Sequence, residues 1–211
     1  ARKEIKTGAG YLAFATETKN VSLEEDLYRR DLTINAIAMD TDGTIIDPYN
    51  GAKDLKNGVL RHVSSHFNED PVRLLRIARF AARYNFKVAQ ETNVLLKSIV
   101  DNREIDSLQA ERVWLELEKT ITEKNVQRFF QVLTDCNACE KIFPFKMFPH
   151  PERFITKNTP RDNLLIIFSE LSKKELDKWT IPSHEKEMIG SYKHFFEKGQ
   201  AYTDMQPEDK I

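Results

Sequence analysis

Between Glu69 and Lys87 the sequence reads EDPVRLLRIARFAARYNFK, and a chain containing it can hardly avoid building a helix there. Asp70 is a favourable N-cap, and Pro71 suits the first helical position because the N–H it lacks would have no intrahelical partner. At the helical repeat Leu74, Ile77, Ala78 and Ala81 gather on one side, and Arg73, Arg76, Arg79 and Arg83 on the other. Such a helix must bury its apolar side, so the rest of the chain has to supply a core against it. A solvated charged face normally mixes Lys with Glu at i,i+4 spacing. This one uses arginine alone, the side chain suited to planar, bidentate recognition of phosphates and base edges. A capped amphipathic helix with an ordinary charged side is the plain alternative.

The 211 residues are 40% hydrophobic, enough to bury a core in one large domain or two small modules. With 31% charged residues and a net charge of -1 there is no global pull toward nucleic acid, so any RNA contact has to come from local patches. No apolar run approaches the length of a bilayer span, and residues 1–10 do not read as a signal peptide, so no membrane role and a cytoplasmic location are expected. Cys136 and Cys139 form a lone C-x-x-C, with neither a second pair nor a His at ligand spacing to support zinc or redox chemistry.

Residues 24–40, EEDLYRRDLTINAIAMD, add Arg29, Arg30 and Asp31 together, with a polar Asn35 inside an apolar run. In order along the chain, RRDLTINA, IIDPYNGAKDLKNGVLRHV, EDPVRLLRIARFAARY and ERVWLELEK resemble the successive motifs of the bacterial class II CCA-adding enzymes, tRNA nucleotidyltransferases related to bacterial poly(A) polymerases. The resemblance covers about residues 1–145 and fades beyond them. It implies an α+β fold: the C-terminal part of a nucleotidyltransferase head with a small antiparallel sheet (1–66), a helical nucleotide-reading neck (67–145) and the helical start of a body domain (146–211). It also implies addition of CCA to tRNA from CTP and ATP with Mg²⁺. In that frame Asp70 and Arg73 read the incoming base, Arg30 and Asp31 contact the ribose with Asn35 positioning them, and Arg76 and Arg79 neutralise the triphosphate.

Glu111 and Arg112 match the motif that braces the arginine helix. The family's two Mg²⁺ ions are held by an aspartate pair on a segment expected upstream of Ala1, so residues 1–211 alone are not expected to transfer nucleotides. Glu4 is either a supporting carboxylate or an exposed strand residue. Other assignments also stay open. Asp70 serves as a cap or as a base reader, and Arg29 as a partner of Glu24 or Glu25 or as a ligand contact. Arg83 is a surface charge or an RNA-phosphate contact, and Asn35 closes a turn or positions the ribose segment. Two other functions remain: a poly(A) polymerase using ATP alone, or a non-catalytic RNA- or nucleotide-binding module.

The rest of the pattern fills in around these motifs. Leu12–Asn20 reads as a loop, and Ser22 with Glu25 forms a capping box opening a helix through Leu23, Leu27 and Ile34. Ala36–Asp40 and Thr44–Asp47 flank a Thr41-Asp42-Gly43 turn. Pro48, Asn50 and Gly51 break the chain, and Asn57-Gly58 turns it into Val59–Val63, predicting an antiparallel meander. Helices are expected over Val94–Ile99, Val113–Ile121 and Val126–Leu133. Phe129, Phe130, Phe143, Phe145 and Phe148 pack a core or stack bases, and Phe143–Phe154 with its prolines reads as a linker. Beyond it, helices are expected over Leu164–Leu171, up to Trp179, and over His184–Lys198. Some relatives carry a His-Asp metal phosphohydrolase there, but LLIIFSEL has no such pair, and His150, His184 and His194 lack a second ligand at the right spacing.

Overall fold

A computed structural model of the protein describes residues 3–6, 14–17, 21–143, 159–168, 171–177 and 181–197, and the chain is α+β. β1 (Lys3–Lys6) and β2 (Phe14–Glu17) pair antiparallel with Glu4 opposite Thr16, so part of the stretch expected as a loop is a strand. α1 (Leu23–Tyr28) starts at the expected capping box, in which the Ser22 hydroxyl accepts from the Glu25 N–H and the Glu25 carboxylate from the Ser22 N–H. It ends at Arg29, which leaves Ile34 in a separate 3-10 turn over Thr33–Asn35. β3 (Ala38–Met39) and β4 (Ile45–Ile46) form the expected hairpin.

Beyond β4 the expected meander gives way to a helix, α2 (Gly51–Asn57). Pro48, Asn50 and Gly51 look like breakers, but here they build a helix start. The Asp47 carboxylate accepts from the Gly51 N–H at 2.7 Å and the Ala52 N–H at 2.9 Å, while Asn50 turns the chain inward at φ 59. Gly51 is required by close approach, since a Cβ there would lie 2.1 Å from the Thr33 carbonyl oxygen. β5 (Val59–Leu60) then pairs in parallel with β6 (Lys87–Val88), and the connection between them contains α3 (Val72–Tyr84). A parallel pair needs a crossover; the turn at Asn57-Gly58 alone would have suggested a hairpin.

α4 (Gln90–Asp101), α5 (Ala110–Thr120), α6 (Val126–Asp135) and α7 (Cys139–Ile142) follow, then α8 (Pro160–Phe168), α9 (Lys173–Leu176) and α10 (Ser183–Glu197). Apart from α7, which was not expected, these overlap the expected helical stretches. α3 lies at the centre, packed on α5 and α6. Ala78, Ala81 and Ala82 are fully buried, and their small side chains let neighbouring helices come close. Leu74, Leu75 and Ile77 are also fully buried, each worth about 2 kcal/mol by leaving water. Asn85 closes the helix at φ 56, its N–H donating to the Ala81 carbonyl.

Phe129, Phe130 and Phe143 form one aromatic knot with centroids 5.1–6.3 Å apart; all three are buried, so they pack the core and do not stack bases. Phe145, Phe148, His150 and the proline-rich stretch lie outside the described residues. Cys136 and Cys139 are buried free thiols, both pushed up to about 11 chiefly by burial, which suits core packing. Among the described residues no helix is long and apolar enough to cross a membrane.

Candidate functional site

The site grows from the first turn of α3. Asp70 has an extended backbone, its Oδ1 accepts from the Val72 N–H at 3.1 Å, and its carbonyl accepts from the Arg73 N–H at 3.0 Å. It therefore caps the helix as its sequence position demands. The same carboxylate is gripped from the first turn of α5: Arg112 Nη1 donates to Oδ1 at 3.0 Å and Nη2 to Oδ2 at 2.8 Å. Three of the roughly four acceptor positions of a carboxylate are thereby filled, and one on Oδ2 is left. One turn along, Arg73 donates through Nη1 to the His66 carbonyl at 2.7 Å and through Nη2 to the Arg29 carbonyl at 2.8 Å. Burial lowers its pKa while Asp31, Asp70 and Glu69 push the other way, and a guanidinium stays charged through both. An acceptor and a donor thus stand side by side, each braced by a different part of the fold.

Further along the helix the arginines part company. Arg76 remains partly exposed and pairs with Asp31, Nε and Nη2 each 2.7 Å from Oδ2. Asp31 is buried; burial opposes its charge, but Arg76 and the hydrogen bonds from Asn35, Arg76 and the Leu32 N–H hold its carboxyl below the usual value. Arg79, expected beside the triphosphate, is only 7% exposed and donates through Nε to the buried Glu116 at 2.7 Å, with its guanidinium 4.8 Å from the Phe80 ring centroid. α5 covers that flank of α3. Glu116 also accepts from Lys119, and Arg83 pairs with Glu123 at 2.9 Å.

Arg29 pairs with Glu69 at 2.9 Å in place of Glu24 or Glu25, and Glu69 also meets His66 Nδ1 at 2.6 Å. Arg30 reaches back to Asp26 on the solvent side. The structure therefore brings Asp31, Asn35 and Arg76 together, and Asp70, Arg73 and Arg112 together. Arg30 stands outside these groups and Arg79 behind them. Ala1, upstream of which the metal aspartates are expected, lies outside the described residues, as does the Glu4 side chain. Among the described residues no three His, Cys, Asp or Glu side chains converge on a metal position. Asp31, Asp70 and Glu116 are each held by an arginine, so these carboxylates do not fit a Mg²⁺ centre.

Residues 4–61 match the family model described as the poly A polymerase head domain, and residues 85–146 match the one described as the probable RNA and SrmB-binding site of polymerase A. The multifunctional CCA protein of Neisseria gonorrhoeae (strain NCCP11945) is 54% identical over 145 residues, which is 68% of this chain and 35% of that protein. A solved tRNA-processing enzyme with CTP superposes at a TM-score of 0.71 and 27% identity, covering 89% of this chain and 60% of the other. The Thermotoga maritima CCA-adding enzyme complexed with tRNA gives a TM-score of 0.64 and 26% identity, covering 82% of this chain and 48% of that one. The chain belongs to the tRNA nucleotidyltransferase and poly(A) polymerase family.

It spans about a third of the length of the curated family members it matches. Motif reading missed two residues that shape the site. Glu116 is one, and its signal was present: it shares a helical face with Val113 and Thr120, where a carboxylate has to find a cation. Asp54 is the other, buried and accepting from the Thr33 hydroxyl at 2.8 Å and Arg61 Nε at 3.0 Å, which ties the segment after Asp31 to α2. Nothing local distinguishes Asp54 from a surface residue of α2.

Proposed function

We propose that this chain is the base-reading part of an enzyme that adds the terminal CCA to tRNA, by template-independent nucleotidyl transfer from CTP and ATP. The observation that carries the reading is the pairing at the start of α3: one open acceptor position on Asp70 beside unspent donors on Arg73. A carboxylate accepts from the exocyclic amine of C or A, and a guanidinium donates to the neighbouring ring nitrogen or carbonyl oxygen; U and G offer the opposite pattern. The likeness to enzymes solved with CTP and with tRNA supports the same reading.

In this assignment residues 1–66 belong to the head, 67–145 form the reading neck and 146–211 begin the body. Arg76 faces the triphosphate, Arg30, Asp31 and Asn35 line the ribose side, and Arg79 acts from behind through its hold on Glu116. The reaction uses Mg²⁺, held by carboxylates other than those described here, and the enzyme works in the cytoplasm.

The head model's description also covers poly(A) polymerases, which take ATP alone. Single-nucleotide incorporation into tRNA lacking CCA by the full-length enzyme, with each of the four triphosphates offered separately, decides between them: CTP must be used when it is the only one offered. In the same assay Asp70→Asn is expected to lower selectivity for CTP over UTP about five- to a hundred-fold, because Asn turns its oxygen toward Arg112 and presents an NH₂ donor outward. Unchanged selectivity removes Asp70 from base reading and leaves it as a cap.

A further inference from the structure

The two carbonyls that hold Arg73 come from residues far apart in the chain, Arg29 at the end of α1 and His66 in the 3-10 turn Ser65–Glu69. Nη1 and Nη2 of Arg73 lie in one rigid plane, so a shift of either carbonyl turns the guanidinium or costs it a bond. The side chains of these same two residues meet on one carboxylate. Glu69 accepts through Oε2 from Arg29 Nη2 at 2.9 Å, and its Oε1 lies 2.6 Å from His66 Nδ1. Beside this bridge the Ser64 hydroxyl donates to the Tyr28 carbonyl at 2.8 Å, and the Tyr28 and His66 rings stand edge to face with centroids 5.3 Å apart. The Arg29 and Glu69 side chains are 19% and 24% exposed, so their ion pair adds little to stability. A partly solvated bridge between the very two residues that grip Arg73 calls for another account.

We infer that Glu69 is a positioning residue for base selection: by bridging the side chains of Arg29 and His66 it fixes their carbonyls against each other, and so aims the free donors of Arg73 at the incoming base. This rests on the reading of Arg73 as a base contact. A loose guanidinium can turn to follow whichever base is offered, donating to the acceptors of U as readily as to those of C, whereas a held one discriminates. Glu69→Ala removes the bridge. Glu69→Gln keeps it: the Gln oxygen accepts from Arg29, and its NH₂ donates to His66 Nδ1 when the imidazole carries its proton on Nε2.

Single-nucleotide incorporation by the full-length enzyme, read as the ratio of kcat/KM for CTP to that for UTP, tests this in Glu69→Ala, Glu69→Gln, Arg73→Ala and the double variant Glu69→Ala with Arg73→Ala, alongside melting curves. Glu69→Ala is expected to lower the ratio about three- to tenfold, a part of the discrimination that a bidentate base contact supplies. Glu69→Gln is expected to retain the ratio, and the double variant to fall no further than Arg73→Ala alone. If Glu69→Ala loses activity toward both nucleotides by the same factor, with the ratio intact, the residue serves only the fold and the inference is overturned. An equal fall of the ratio in Glu69→Gln assigns the effect to the carboxylate charge and overturns it too, as does a further fall in the double variant. An unchanged ratio in Arg73→Ala refutes the base reading itself and the inference with it. A lowered ratio in Arg73→Ala with none in Glu69→Ala refutes the inference alone. Should Glu69→Ala fail to fold, His66→Ala gives the answer, because it cuts one arm of the bridge and leaves both carbonyls in place. It is expected to lower the ratio about two- to fivefold, and an unaltered ratio there overturns the proposal.

Discussion

Replacing Asp70 by Asn tests how firmly α5 holds the start of α3. Asn caps a helix about as well as Asp, so the bond to the Val72 N–H survives. What is lost is half of the Arg112 grip, because one of the two oxygens receiving Nη1 at 3.0 Å and Nη2 at 2.8 Å becomes an NH₂. Both side chains are 20% exposed, which places the pair between a surface ion pair, worth 0–1 kcal/mol or so, and a fully buried one, whose breakage costs about 3–5 kcal/mol. With one charge-assisted bond kept and one lost, the expected destabilisation is about 1–2 kcal/mol. For a chain of this length that lowers Tm by ~2–8 °C. Arg112→Ala should cost at least as much, and Asp70→Asn on top of it close to nothing, a coupling of about 1–2 kcal/mol in a double-mutant cycle. Thermal melts of the four proteins measure it. A melting curve for Asp70→Asn superimposable on the unaltered one, or losses that simply add, would show that the Asp70–Arg112 pair does not hold the helices together.

Glu116→Ala strands the buried Arg79, whose next carboxylate, Glu123, is 3.9 Å away; a loss of about 3 kcal/mol in denaturant unfolding is expected, largely recovered by adding Arg79→Met. Asp31 and Glu116 both have carboxyls held below their ordinary values of 3.8 and 4.5, against the opposing effect of burial, by Arg76 and by Arg79 and Lys119 respectively. A depressed folded pKa means stability that is fully present above the ordinary value and is lost as pH falls through the folded one, so Tm should be flat above about pH 5 and drop below it, less steeply in Asp31→Asn and Glu116→Gln. Cys136 and Cys139, buried and pushed up to about 11, should resist iodoacetamide in the native protein at neutral pH and react once it is unfolded, as mass spectrometry of the alkylated chain will read.

The elements legible in the sequence are those whose causes are local. The Ser22–Glu25 box and the Asp70-Pro71 start announce their helices, because the capping partners lie within one turn of each other. α2 was illegible because its start depends on Asp47 reaching forward and on Gly51 resting against the Thr33 backbone, a contact that only the folded chain makes. The β5–β6 pair joins residues separated by the whole of α3. The arginine face failed in an instructive way. Periodicity puts Arg73, Arg76, Arg79 and Arg83 on one side of a helix, but α3 is flanked by two others, and α5 turns the middle of that side into interior.

That division of the arginine face changes what has to be explained about specificity. Asp70 lies just before α3 with an extended backbone and Arg73 lies in the first turn of α3, so the separation of their backbones is set by this helix start. What this fold adds is the direction in which each side chain points. Arg112, from α5, sets it for Asp70, and the carbonyls of His66 and Arg29, from the segments before α3 and after α1, set it for Arg73. A base edge presented to this pair meets an acceptor anchored to one part of the molecule and a donor anchored to another. The distance between the two functional groups is therefore a property of how α5 and the end of α1 sit against α3, and in the proposed base reading Arg112 and the carbonyls of His66 and Arg29 aim the pair.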